Sequence, residues 1–402
     1  MKRLNWLFIF VIVIFMTTGV NVFADSIKIN SSNAVLYNVN DDIMLYQKNK
    51  DEKVSIASLT KMMTAIVAIE NIDDLSKKVS FEKSDYDKLI SMNASGSSLD
   101  VKKKYTYEDL LYGLLLESGA DCANALARLI SGNEKAFVKL MNEKAKELGM
   151  NSTSFANPIG MDDKNNYSTM EDLAILFKSG LKNPTFKKII TSKEYKASDG
   201  TKLKHTIIYY EKLNKMNDIT YILGGKTGYE TDAGYALATI AYKNGTLLMF
   251  ITSGASNKGD HLKDAKKVYD YYFNNYSYQN VVNKGDLITT LNGEYLSKSS
   301  IEITADSDVK YYLKNNYNVE DIKLVYRGID SVSLKNKYKD KIGTLNIYYK
   351  DKVIKTMPVY LNQKIYPDFK LIILAVIVYI FIIGCGIIIA DRLRHKRLID
   401  QL

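Results

Sequence analysis

The sequence predicts a chain of the α/β (α+β) class. A domain mixing helices with an antiparallel sheet comes first, then a small all-β domain, then one transmembrane helix. Three observations predict this order. Between residues 27 and 275, apolar residues recur at helical spacing in several segments, and alternating runs between them read as strands. From about Tyr276 helical periodicity fades, and short β-branched or aromatic runs take over. Leu371 to Ala390 is an unbroken apolar run without a charge, long enough at ~1.5 Å per residue to span a ~30 Å hydrocarbon core.

Met1 to Ala24 reads as a secretory signal. Lys2 and Arg3 give the charged start, Leu7 to Phe15 the apolar stretch, and Val22-Phe-Ala24 the small residue at the cleavage site. An uncleaved anchor is the alternative, and either segment exports the body of the chain. Asn33 to Gln47 reads as a strand pair around the turn-rich Asn40-Asp41-Asp42. Next comes the run Ala57-Ser-Leu-Thr-Lys-Met-Met-Thr-Ala-Ile-Val-Ala-Ile-Glu70, with Met62, Ile66 and Ile69 at helical spacing, so a core helix starts near Ser58. Ser95 to Ser98 is a loop. Thr106-Tyr-Glu-Asp109 is a capping-box-like start for the apolar run Leu110–Leu116. After the break Glu117-Ser-Gly-Ala-Asp121, helix resumes through Ile130.

Asn133 to Leu148 is amphipathic and stops at Gly149, and Phe155 to Met161 is a turn-rich loop. Ser168-Thr-Met-Glu171 reads as a second capping box, for a helix that Gly180 ends. Phe186 to Thr191 is a shorter helical piece. Gly234–Tyr242 and Thr246–Thr252 alternate as strands joined by Lys243-Asn-Gly245. A helix comes after them with Ala265, Val268 and Tyr272 on one face. The expected domains are 1–24 (signal), 25–275 (mixed), 276–365 (β-rich), 371–390 (membrane helix) and 391–402 (tail). Arg392, Arg394, Lys396 and Arg397 after the apolar run put the C-terminus in the cytoplasm.

Net charge is +10, but the lysines form no dense stripe with interleaved aromatics, which excludes nucleic acid as the expected partner. His205, His261 and His395 are scattered without metal-ligand spacing and read as surface or loop residues. Neither a metal nor a cofactor is expected. Cys122 falls in a core helix and Cys385 in the apolar run, so no disulfide framework is expected.

Three patterns carry chemistry. In Ser58-x-x-Lys61 the two side chains share a helix face. A lysine desolvated among apolar neighbours disfavours its charged form and can take the serine proton. Ser118-Gly119-Ala120 lies on the turn between helices, where Ser118 can relay a proton to a leaving amine. Lys226-Thr227-Gly228 lies at a strand edge, where Lys226 supplies positive charge for a carboxylate and Gly228 allows close backbone approach. The backbone N–H groups of Ser58 and Tyr229 would form an oxyanion hole, often worth ~3 kcal/mol per donor.

In this order the three patterns resemble penicillin-binding proteins and class A β-lactamases. Ala57-Ser-Leu-Thr-Lys-Met-Met-Thr-Ala, Leu115-Leu-Glu-Ser-Gly-Ala-Asp, Asn157-Pro-Ile-Gly-Met-Asp, Tyr167-Ser-Thr and Gly225-Lys-Thr-Gly-Tyr are similar to one branch, the low-molecular-mass serine D-alanyl-D-alanine carboxypeptidases (peptidase S11). The resemblance covers residues 27 to 275 well and the β-rich segment loosely. It implies a β-lactamase/transpeptidase-like catalytic domain, a β-rich domain and a C-terminal membrane anchor. It implies peptidoglycan stem peptides ending in D-Ala-D-Ala as substrate and β-lactams as covalent inhibitors. It makes Ser58 the acyl-ester nucleophile, Lys61 the proton acceptor, Ser118 the second serine, and Lys226 with Thr227 the carboxylate clamp.

The chain departs from the pattern in three places. Ala120 stands where the second motif usually has Asn, Tyr229 where many members have His, and Asp260 near a position where some have Arg. Two other readings stay open at this point. One is a wall-binding or regulatory homologue with impaired catalysis. The other is a β-lactamase, which needs a Glu that activates a deacylating water.

Overall fold

The computed structural model describes residues 27–399 apart from 88, 90, 93, 295, 296, 298 and 299. The signal segment expected over 1–24 lies outside the described residues. The chain divides into two units, Met1–Phe273 and Asn274–Leu402.

The first unit is built on a five-stranded antiparallel sheet. Its strands are β1 (Asn33–Asn38), β2 (Ile43–Lys48), β3 (Ile222–Glu230), β4 (Gly234–Lys243) and β5 (Thr246–Ala255), in the order β2-β1-β5-β4-β3. β1, first in sequence, pairs with β5, among the last, with Val35 opposite Ile251. Asn244 and Gly245 both take positive φ in the β4–β5 turn, the conformation that an Asn-Gly hairpin favours. The sheet is buried on both faces, and period-two alternation decides which side chain goes where. Val35, Ala238, Met249 and Ile251 join a large helical core. Thr239 and Phe250 instead meet Tyr269, whose hydroxyl accepts from Phe250 N at 2.9 Å and donates to Thr239 O at 2.9 Å.

At the centre of the helical core is α1 (Thr60–Glu70), with every residue from Thr60 to Ala68 buried. Around it pack α2 (Tyr107–Leu116), α3 (Ala120–Ser131), α4 (Glu134–Glu147), α5 (Met170–Lys182) and α6 (Pro184–Ile190). The Thr106–Asp109 capping box forms as expected, with Asp109 N donating to Thr106 Oγ1 and Thr106 N to Asp109 Oδ2. The second expected box shifts by one residue. Thr169 caps α5 by accepting from Asp172 N at 3.1 Å. Gly180 does not end that helix. It lies inside α5 because the Phe186 ring packs where its Cβ would stand, 2.7 Å away.

α7 (Thr206–Leu213), which has no clear periodicity in sequence, borders β3. α8 (Asp260–Asn275) covers the second face of the sheet with Ala265, Val268 and Tyr272 buried. Asp264 on α8 binds the start of the described chain, accepting from Asn30 N, Asn30 Nδ2, Ser31 N and Ser31 Oγ at 2.7–3.0 Å.

Among its described residues the second unit holds eight short strands in three small sheets around Val282, Leu291, Ile303, Val332, Leu345 and Ile347. The short β-branched and aromatic runs expected there do form strands, Ser300–Thr304 among them. The apolar tail is one helix, Phe369–Ile399, longer than the 371–390 expected. Among the described residues it is the one helix long and apolar enough to cross a membrane, over Phe369–His395.

Candidate active site

Ser58 lies in a 3-10 turn, Ala57–Leu59, that leads directly into α1. Three residues on, Lys61 reaches back, and its Nζ donates to Ser58 Oγ at 2.8 Å. The same amine donates to the backbone carbonyl of Ile159 at 2.5 Å. Lys61 is buried, and burial pushes its amine down to about 8, against the opposing pull of Glu230, Asp121 and Cys122. An amine poised there is a competent proton acceptor near neutral pH.

Ser118 occupies the break between α2 and α3 and takes the left-handed conformation, φ +64. That strained turn holds its hydroxyl toward β3, where Lys226 Nζ donates to Ser118 Oγ at 2.8 Å. Ala120 opens α3, fully buried, and its N–H donates to Ser95 O at 2.8 Å. Asn124 has another task, donating to Asp85 O at 3.1 Å. The second partner of the Lys61 amine is therefore a loop carbonyl, not a side-chain amide.

β3 is the edge strand beside the Ser58 turn. At Gly228 a Cβ would lie 3.1 Å from both Ala57 Cβ and Ser58 N, so the approach depends on the missing side chain. Thr227 Oγ1 is 2.7 Å from Thr206 Oγ1 on α7. Tyr229 is half exposed, its ring 4.4 Å from that of Tyr235. Lys226 is fully buried and also donates to Thr227 O at 2.6 Å. Burial and then the nearby Lys61 push its amine well below the usual lysine range. Its surroundings therefore disfavour the positive charge that the sequence assigns to it.

A groove of about 200 Å³ joins these groups. Ser58, Lys61, Ser118, Thr227, Gly228 and Tyr229 line it, and Lys226 reaches it through Ser118. Several contributors are not legible in the sequence. Ile159 acts through its backbone, Thr206 opens a weakly patterned helix, and Glu117 and Glu230 also border the groove. Glu117 is occupied in holding the neighbouring loop, accepting from Ser98 N at 2.6 Å and Lys204 N at 3.2 Å.

His261 departs from expectation by lying inside α8, whereas His205 is a loop residue, as expected, yet enclosed. His205 and His261 are buried, not on the surface. His205 Nδ1 accepts from Ile207 N at the start of α7, and burial followed by Lys226 pushes its ring down to about 4. His261 packs among aromatic rings, 4.4 Å from Tyr210 and 5.6 Å from Tyr235. Burial likewise pushes the His261 ring down to about 4. Asp260 lies in the first turn of α8, bound by Asn257 Nδ2 and Lys263 Nζ at 3.0 Å each. It does not line the groove. Among the described residues no His/Cys/Asp/Glu group could hold a metal ion.

A family model described as D-alanyl-D-alanine carboxypeptidase matches residues 20–257, more than half of the chain. One described as penicillin-binding protein 5, C-terminal domain, matches residues 276–366. The D-alanyl-D-alanine carboxypeptidase DacF of Bacillus subtilis is 29% identical over 329 residues, covering 82% of this chain and 84% of the relative. A D-alanyl-D-alanine carboxypeptidase of Streptomyces sp. (strain K15) is 33% identical over 239 residues, 57% of this chain and 82% of the relative. The crystal structure of penicillin binding protein 5 from Haemophilus influenzae aligns with a TM-score of 0.65 and 25% identity, covering 85% of this chain and 99% of that one.

Proposed function

The chain belongs to the D-alanyl-D-alanine carboxypeptidase family, peptidase S11, and from that membership we propose that it removes the terminal D-alanine of peptidoglycan stem peptides through an acyl-enzyme on Ser58. Ser58 Oγ attacks the carbonyl carbon of the penultimate D-alanine, and its proton passes to Lys61. The carbonyl oxygen takes the negative charge toward the N–H groups of Ser58 and Tyr229. When the tetrahedral carbon collapses, the peptide C–N bond breaks and the leaving amine takes a proton from Lys61 through Ser118. Lys226 and Thr227 receive the terminal carboxylate, which restores the lysine's charge. Water then hydrolyses the ester and regenerates Ser58.

The observation that carries this reading is the pair of 2.8 Å hydrogen bonds, Lys61 to Ser58 and Lys226 to Ser118, on one groove. A stem pentapeptide incubated with the full chain in detergent tests it. The expected product is lighter by one alanine, and Ser58→Ala forms none. Persistent labelling by a fluorescent penicillin is expected, as for a penicillin-binding protein. Rapid turnover of the label would point to a β-lactamase, and no label to the impaired homologue.

The apolar helix supports a membrane-held enzyme. With Arg392 and Arg394 beyond the apolar stretch, the catalytic unit faces outward and the C-terminus lies in the cytoplasm.

A further inference from the structure

We propose that Glu230 is a specificity-determining residue, which selects stem peptides bearing a free cationic amine on the residue before the acyl alanine. The inference deepens the carboxypeptidase reading and rests on it. Side chains two apart on a strand share a face, and each pair of residues advances about 6.6 Å. Lys226, Gly228 and Glu230 therefore succeed one another along β3, and Gly228 and Glu230 both line the groove. The first reaches Ser118, and the second is level with the backbone of Ser58. If the substrate carboxylate is held at Lys226 and Thr227 and its carbonyl is attacked level with Gly228, the acyl part must run on past Tyr229. Glu230 then stands beside the residue preceding the acyl alanine.

Its chemistry sets it apart from the other acids nearby. Glu117 is bound to Ser98 and Lys204. Asp162 accepts from Ser55 Oγ at 2.8 Å and from Asp232 N at 3.2 Å. Among the described residues the Glu230 carboxylate has neither a hydrogen bond nor an ion pair of its own, although it is partly buried on the groove wall. Burial and then Asp162 push it up to about 7, with Lys61 opposing. A carboxylate so placed, influenced by Lys61 but paired with no cation, gains from one that the substrate brings into direct contact. An acidic or blocked side chain at that point of the substrate would leave it unpaired.

The test uses the full chain in detergent and two peptides ending in Lys-D-Ala-D-Ala, one with the ε-amine free and one with it acetylated. Released D-alanine gives kcat/KM for each. The expected result is a preference of about three- to fivefold for the free amine, the size of a partly exposed ion pair, screened by added salt. Glu230→Gln should bring the ratio near one, and Glu230→Lys should reverse it. Fluorescent-penicillin labelling shows that each variant is folded. Equal cleavage of the two peptides by the unaltered protein, or an unchanged ratio in labelled Glu230→Gln, overturns the proposal and leaves the carboxypeptidase reading standing. Cleavage of neither peptide overturns both.

Discussion

The amine of Lys61 is held 2.5 Å from the carbonyl oxygen of Ile159, a contact that ties the proton acceptor to the loop between α4 and α5. Gly160 keeps that loop in place. Its φ is +83, and a Cβ would stand 2.0 Å from Ala57 O. Gly160→Ala should therefore lower stability by at least ~2 kcal/mol and slow acylation in whatever fraction remains folded. Chemical denaturation and fluorescent-penicillin labelling measure the two effects.

Acylation should rise with pH through about 8, since Lys61 accepts a proton only as the neutral amine. Below that pH the rate should fall roughly tenfold per unit. The electrostatic pull of Glu230, Asp121 and Cys122 on this amine opposes burial, so Glu230→Gln should move the limb slightly downward. Lys61→Ala should lower the rate by ~10²–10⁴ and flatten the profile. Stopped-flow quenching with a chromogenic β-lactam tracks both.

Lys226 is expected to take up a proton when a carboxylate binds. Burial and Lys61 favour its neutral form in the empty groove, and an anion reverses that preference. Calorimetry of Ser58→Ala with a D-Ala-D-Ala peptide, in buffers of different ionisation enthalpy, should show net proton uptake on binding. Lys226→Gln should abolish it.

Gly228→Ala should reduce kcat/KM by about tenfold or more, since the added methyl needs space that Ala57 Cβ and Ser58 N occupy at 3.1 Å. The readout is D-alanine release. The melting temperature should change little, because the methyl displaces an edge strand and leaves the core intact.

Removing residues 369–402 should release the protein from membranes into the soluble fraction with its penicillin labelling retained. Fractionation and then labelling test the anchor apart from the chemistry.

Much of the first unit is legible because its signals are local. Ser58 and Lys61 are one helical turn apart, Thr106 and Asp109 form their box within four residues, and Asn244-Gly245 fits one turn type. The features that sequence reasoning misses depend on distant partners. Gly180 resembles a helix end in sequence, but Phe186 on the next helix gives it a packing role. His205 and His261 resemble surface residues until tertiary packing encloses them. Ile159 contributes an oxygen that every residue possesses, so no residue type could announce it. Glu230 acquires meaning only once β3 is known to border the groove.

The placement of β1 beside β5, with Asp264 clasping Asn30 and Ser31, has a bearing on biogenesis. The earliest strand cannot find its central neighbour until more than two hundred further residues have been synthesised. Such distant pairing slows folding. It also keeps the sheet unfinished through much of synthesis, so that in a chain exported as proposed the groove is completed only after translocation.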